Sequence, residues 1–485
     1  MNVPAKRAQP ASQIEGHYYQ HLVAWSEALN SLRPNNNAAG ITVEHPAAGN
    51  VDDIVIHLLT GLHRYIQVKH AVDATTPVGS KWFMASRTSK PGSLSLLQKF
   101  HRSWHNLTQQ GIRPELRLVT DRDIDPADPV ASRIVRYTGL LVPGICNTAA
   151  AQERALWAKH LDVTEDELVE FLRSLRVETG RSIGLEKERA TTLMYAMGLN
   201  DTPSALDSAV ALVRDWVLRD ERTLTPDYVL KWAQERVGRR TEQGAVVVID
   251  GIDYDPHPED ADEHICFVDQ YLGDEPFGRR QLRDPGHWPH IQFQIEEAAG
   301  RLRGTGIRRV LVRGAMRLPT WFVAGAAFRE VSGFDAAGVQ RGDIWSSEKL
   351  EPAVTVQTET IPLDAGPDVA VAIGVAADPT DEVRSHIISA GLPVRDLISI
   401  LPVSGPNPAA IPDGPTAAAI AVAARNAARD LLASAPTTAN IHLFLATPGA
   451  LALLLGHRWN AMRPTTIYEH LGTGRGYTPT FRVAG

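Results

Sequence analysis

The spacing of apolar residues changes along the chain and divides it into three stretches. Over residues 13–32, QIEGHYYQHLVAWSEALNSL, Tyr18, Leu22, Trp25 and Leu29 recur at helical intervals and predict an amphipathic helix. The Asn- and Pro-rich RPNNNAAG ends it. Apolar positions then fall into short β-rich runs, predicting strands at 41–44, 53–58 and 64–70, the last two joined by a turn at Gly61. A helix over 94–107 and a strand over 115–120 follow. The first 125 residues therefore read as helix, three-strand meander, helix, strand.

Residues 126–240 return to helical period, with helices predicted at 150–160, 165–174, 205–218 and 226–237. Thr164 ahead of three acidic residues and Thr225 ahead of Pro226 are strong helix starts. The polar GRRTEQG at 238–244 reads as a linker. From Ala245 to the end, strand and helix alternate. Strands are predicted in AVVVID, RRVLVRG, VAVAIGVA, LISILPV and IHLFLA, with helices at 290–302, 320–330, 380–390, 416–433 and 449–459 between and after them. A meander through Trp345 and a strand at 353–359 separate two such α/β units of similar size. Two short strands, 465–468 and 477–483, close the chain. The fold class expected is α/β multidomain, divided as 1–125, 126–240 (a helical extension) and 245–485.

Composition narrows the function classes. A chain of 485 residues exceeds what one hydrophobic core usually supports. Its 44% hydrophobic and 22% charged content is ordinary for a soluble globular protein. Cys146 and Cys266 have neither disulfide-framework nor zinc spacing, and no apolar run is long enough to cross a bilayer. No secretory signal opens the chain, so a cytoplasmic protein without a membrane partner is expected. The net charge of −7 provides no global basic field for nucleic acid, which leaves room only for a local basic groove. Arg181 and Arg189 are candidates to line such a groove.

The clearest candidate chemistry lies in residues 51–71, VDDIVIHLLTGLHRYIQVKHA. An acid at a strand start faces a polar-x-Lys on the hairpin partner, the skeleton of a metal-dependent phosphodiesterase. Phosphodiester cleavage needs a divalent cation to polarise the phosphoryl oxygen and activate water, and a cationic group for the charge that develops. Mg²⁺, or a similar ion such as Mn²⁺, takes oxygen ligands, few of them from protein. Asp53 offers a carboxylate, Gln67 a side-chain carbonyl and Val68 a backbone carbonyl, while Lys69, two positions from Gln67, projects to the same strand face. Asp52 points to the opposite face of a regular strand and ranks below Asp53. Glu15 and Glu44 are further candidate acids.

In the C-terminal half, loops at the ends of two predicted strands are candidates for holding an anion: 313–319, RGAMRLP, and Thr447-Pro448-Gly449-Ala450. Neither has a GxGxxG or a Walker lysine, which disfavours a dinucleotide cofactor or ATP hydrolysis.

The αβββαβ order, with EHPAAGNVDDIVI, RYIQVKHA and SLLQKFHRSWHNL, resembles the PD-(D/E)XK endonuclease domain of bacterial nuclease–SAVED antiphage effectors over about residues 10–125. The resemblance implies a restriction-endonuclease-like core whose DNA-cleaving site is Asp53, Gln67 and Lys69. Residues 245–485 are similar to the SAVED domain, two fused CARF- or Rossmann-like units, through HWPHIQFQIEEAAGRL, RGAMRLPTWFVAGAAFREVSGF, QRGDIW and IHLFLATPGALALLLGHRWN. This implies a pocket for a cyclic tri- or tetranucleotide made by a partner nucleotidyltransferase. Its expected residues are Met316, Arg317, Leu318, Trp345 and Thr447 to Ala450, including Pro448 and Gly449, with Ser404 to Asn407 nearby. Arg317 would add a charged fork and Trp345 a stacking ring. The expected function is a double-stranded DNA endonuclease of CBASS defence that becomes a homo-oligomer when the messenger binds. A restriction-type nuclease needing no messenger, and a sensor with an inactive nuclease domain, remain the alternatives.

Overall fold

The computed structural model describes residues 9–484 apart from 34–35, 45–50, 52, 72–74, 87–91, 136–137, 220–222, 349–353, 364–365, 408, 434 and 436. The chain forms two compact units, Met1–Thr241 and Glu242–Gly485.

The first unit opens with α1 (Gln9–Ser31), β1 (Ala38–Val43), β2 (Ile54–Leu58), β3 (Leu62–Lys69), α2 (Ser80–Met84), α3 (Leu96–Gln109) and β4 (Arg113–Thr120). It continues with α4 (Val142–Ile145), α5 (Ala151–Leu161), α6 (Glu165–Arg173), β5 (Leu175–Glu178), α7 (Ile183–Ala196), α8 (Pro203–Leu218), β6 (Thr223–Leu224) and α9 (Pro226–Ala233). Its sheet runs β5-β4-β3-β2-β1-β6, antiparallel from β3 through β1 to β6 and parallel from β3 to β5.

The period-two pattern decides the layers. Ile54, Ile56, Ile66 and Val68 enter one core with α1, α7, α8 and α9, where the rings of Trp25 and Trp216 lie 6.3 Å apart. Val55, Tyr65, Leu116 and Leu118 enter a second core with α2, α3, α5 and α6. Ser95 and Gln98 start α3 with reciprocal side-chain-to-backbone bonds, a capping box.

The stretch 126–240 is more than a helical extension, because β5 and β6 from it form both edges of the sheet. It also contains α7, a helix buried on most sides that apolar periodicity does not reveal. Arg181 and Arg189 do not line a groove: each is 3% exposed. Arg189 pairs with Glu27 of α1 at 2.7 Å and Arg181 with Glu186 of α7 at 2.7 Å. Buried guanidinium groups need such partners, so these charges belong to the packing of α1 on α7.

The second unit begins with β7 (Ala245–Asp250), β8 (Glu263–Cys266), α10 (Trp288–Gly304), β9 (Arg309–Arg313), α11 (Leu318–Ala327), β10 (Asp335–Gln340) and β11 (Asp343–Ser346). Then come β12 (Val356–Pro362), β13 (Asp368–Gly374), α12 (Thr380–Ala390), β14 (Val394–Pro402), α13 (Gly414–Ala433), β15 (Ile441–Ala446), α14 (Gly449–Arg458), β16 (Thr465–His470) and β17 (Tyr477–Val483). Two sheets result, β11-β10-β9-β7-β8 and β12-β14-β13-β15-β16-β17. Each has four adjacent parallel strands; β11, β12 and β17 are antiparallel edges, and β8 is a parallel edge.

One continuous core joins the two sheets, and α11 against α14 lies within it. A Cβ on Gly325 would sit 1.9 Å from the Leu453 carbonyl oxygen, and one on Gly456 1.9 Å from that of Phe322. Only glycine permits this backbone-to-backbone approach. Among the described residues no helix is long and apolar enough to cross a membrane.

Candidate functional sites

In the first unit, register assembles the candidate site. Ile54 pairs with Ile66, which puts Asp53, one residue earlier, beside Gln67. The Asp53 Oδ2 accepts a hydrogen bond from the Gln67 amide and another from the Val68 backbone N–H at 2.7 Å. The Asp53 backbone carbonyl in turn accepts the Glu44 N–H at 2.9 Å. Gln67 is 4% exposed, and Lys69, half-buried, follows it on the same strand face and pairs in register with Thr120 of β4. Asp53, Gln67 and Val68 are thus in direct contact, with Lys69 next along the strand. Asp52 lies outside the described residues.

Glu15 reaches these strand ends from α1 by a different route. Its carboxylate lies 3.9 Å from His70 Nε2, and His70 Nδ1 lies 2.7 Å from Asp121 Oδ2. Asp121 also accepts the Ala71 backbone N–H at 3.0 Å. His70 and Asp121 were missed in the sequence, although His70 ends the expected strand 64–70 and Asp121 directly follows Thr120, the end of the expected strand 115–120.

The donor set suits a hard divalent ion in kind: a carboxylate, an amide carbonyl and a peptide carbonyl are all oxygen ligands. The Gln67 nitrogen now faces Asp53, and rotation of that amide would present its oxygen instead. Among the described residues no group of three or more His, Cys, Asp or Glu side chains is arranged to hold a metal. A site here would therefore draw on amide and backbone oxygens.

In the second unit the expected loops gather at the C-terminal ends of the parallel strands. Gly314, at φ 127°, passes so near β7 that a Cβ would be 2.2 Å from the Ile249 oxygen. The Ala315 carbonyl accepts N–H groups from Gly251 and Ile252 at 3.0 and 2.7 Å. Met316 is buried in the core, and Leu318 packs partly against it.

Arg317 does not project freely as a charged fork. Its Nε donates to the Arg279 carbonyl at 2.7 Å, and its Nη2 donates to those of Phe277 and Pro276 at 2.8 and 3.1 Å. Its guanidinium also lies 3.7 Å from Glu469 at the end of β16. Burial pushes the Glu469 carboxyl up to about 7, against the pull of Arg317 and Arg280.

The 447–450 turn is equally close-packed. A Cβ on Gly449 would meet the Trp321 ring at 2.6 Å, and the Ala450 N–H donates to the Gln340 side chain at 3.2 Å. Pro448 caps α14, and the buried Thr447 hydroxyl makes no hydrogen bond. Ser404 is exposed, and its loop is drawn to the same edge by Asn407, whose N–H donates to the Val375 carbonyl at 2.9 Å. The Val375 N–H in turn reaches the Ala446 carbonyl at 2.9 Å. Trp345 departs from expectation. It is 6% exposed within the core, with its backbone pressed on Gly414, so its ring is packing rather than a stacking surface.

Comparison with known families bears on most of this second unit. A model of the SMODS-associated and fused to various effectors sensor domain matches residues 292–483. These residues are a SAVED domain. The SAVED match starts inside α10 and runs through β17, while β7 and β8 precede it. The whole chain is also 23% identical to CD-NTase-associated protein 4 of Enterobacter hormaechei subsp. hoffmannii (strain UCI 50), covering 96% of this chain and 98% of that protein.

Two solved SAVED/CARF-domain receptors align over similar spans. One is Cap4 of Acinetobacter baumannii with the cyclic trinucleotide 2'3'3'-cAAA, at 15% identity, a TM-score of 0.45 and 97% and 99% coverage of the two chains. The other is Cap4 of Moraxella osloensis, at 13% identity, a TM-score of 0.42 and 96% and 99% coverage.

Proposed function

We propose that the chain is a CBASS antiphage effector: a metal-dependent double-stranded DNA endonuclease of the PD-(D/E)XK type, activated when its SAVED unit binds a cyclic oligonucleotide. The observation that carries the nuclease reading is the contact of Asp53 with Gln67 and Val68, with Lys69 on the same strand face. The SAVED match and the end-to-end similarity to a CD-NTase-associated protein support the sensing half. A cyclic tri- or tetranucleotide is the ligand class proposed, in keeping with the cyclic trinucleotide bound to the Acinetobacter receptor.

Mg²⁺ or Mn²⁺ held by Asp53, Gln67 and the Val68 carbonyl would polarise the scissile phosphate. Lys69 supplies positive charge beside it and orients the attacking water. Ligand-driven self-association of protomers would pair two such sites across a duplex, and a ligand that prefers the associated state suffices to populate it.

The test is plasmid cleavage by the full chain with Mg²⁺, scanning cyclic di-, tri- and tetranucleotides. Cleavage only in the presence of one of them supports the reading. Lys69→Ala should lower the rate by about a hundredfold to a thousandfold and leave messenger affinity unchanged. Cutting without any messenger would instead identify a restriction-type nuclease.

A further inference from the structure

Phe277 is the most exposed large apolar side chain among the described residues, at 87%. A phenyl ring held in water is unfavourable by itself. Yet the loop that displays it is fixed along its whole length. Arg279 donates from Nε to the Gly273 carbonyl at 3.1 Å, from Nη2 to Asp274 at 2.9 Å and from Nη1 to Ile252 at 2.5 Å. Arg317 adds its three bonds to the carbonyls of Pro276, Phe277 and Arg279. Gly278 N–H closes the tip on Glu275 at 2.9 Å, and Leu272 N–H closes the base on Gln281 at 2.8 Å.

The same bonds locate the ring. Ile252 and Arg317 belong to the loops that follow β7 and β9, so the Phe277 loop stands at the C-terminal edge of the first parallel sheet, where open α/β sheets take their ligands. Arg279, Arg280, Arg283 and Arg317 all donate to backbone carbonyls here, so this edge is braced by arginine throughout.

We infer that Phe277 is a nucleobase-stacking residue of the SAVED unit, with Arg279 and Arg317 as the positioning residues that hold its loop. The inference rests on the reading of that unit as a cyclic-oligonucleotide sensor. One flat aromatic face is what a base needs. A protein partner needs about 800 Å² on each side, and the only other exposed large apolar side chain of the loop among the described residues is Leu272.

The experiment titrates the full chain with the same panel of cyclic di-, tri- and tetranucleotides of mixed bases, 2'3'3'-cAAA and 3'3'3'-cAAA among them, using wild type, Phe277→Ala, Phe277→Trp, Arg279→Ala and the Phe277→Ala/Arg279→Ala double variant. Phe277→Ala should weaken the tightest probe about tenfold or more, and Phe277→Trp should stay within about threefold of wild type. Arg279→Ala should lose about as much as Phe277→Ala and speed amide exchange at Gly278. The double variant should be no worse than either single one, because both changes act through the ring. Equal affinity of wild type and Phe277→Ala overturns the inference alone. So does a Phe277→Ala protein that binds normally but no longer self-associates with the probe, which would make the ring a protein contact. If no probe binds the wild-type chain, the sensor reading fails and this inference fails with it.

Discussion

Two pairs of arginines, one in each unit, brace their surroundings in different ways. In the first unit Arg189 and Arg181 meet carboxylates inside the packed helices behind the sheet, while Gln67 and Lys69 stand on β3 and Asp53 directly precedes β2. In the second unit Arg279 and Arg317 meet backbone carbonyls, and what they brace is a loop. The difference follows from what each site rests on. A strand is already fixed by its neighbours, so residues on it need only a well-packed sheet. A loop has no ladder of its own, and its carbonyls require donors from elsewhere. Support for the proposed nuclease site is therefore global, and support for the proposed ligand site is local.

That contrast makes measurable claims. The largest effect is expected for Arg189→Met, which leaves Glu27 buried without its partner and should cost about 3–5 kcal/mol of the first unit's stability. Urea unfolding followed by tryptophan fluorescence reads this. A loss below about 1 kcal/mol would mean that the pair does not brace α1 on α7.

A smaller effect concerns pH in the SAVED unit. The Glu469 carboxyl stands at about 7 in the fold against an ordinary value of 4.5. Below pH 4.5 it is protonated in both folded and unfolded chains. Between 4.5 and 7 only the folded state keeps the proton, so stability should fall by about 3 kcal/mol as pH rises through that window, then level off. Melting temperatures from pH 4.5 to 8 should show this slope in wild type and lose it in Glu469→Gln. The same slope in both proteins would remove Glu469 as its source.

The smallest global effect is expected for Arg279→Ala, at about 0.5 kcal/mol or less. The same change should expose the 273–283 loop to trypsin at Arg280 and Arg283, where the wild-type loop resists. If Arg279→Ala melted the unit as a whole, the bracing there would be global too.

Much of this architecture can be read from apolar periodicity. The runs IVI and YIQV and the strands from AVVVID to IHLFLA lie where their alternation or unbroken apolarity places them. What periodicity misses has physical causes. α7 is buried on most sides and carries Glu186 and Arg189 inside, so charges that look solvated in sequence are internal partners. β5 and β8 have four residues each, too few for a period to show. Asp53 and Gln67 are found because hairpin register is local. His70 with Asp121, and Arg317 with Phe277, are not, because those contacts join segments 51 and 40 positions apart. Trp345 fails for a related reason: residue type suggested stacking, while Gly414, far along the chain, provides the surface it packs on.

Gly325 and Gly456 bear on how the SAVED unit can be altered. With α11 and α14 touching backbone to backbone, each half of the unit helps to bury a helix of the other. Neither half is a portable part. A chimera joining one half to a foreign mate would have to reproduce a carbonyl-width fit along two helices at once. The turns at Gly314 and Gly449 are just as tight, so new ligand preference is best sought in exposed stretches of the strand-end loops such as that of Ser404, with those glycines and the paired helices left untouched.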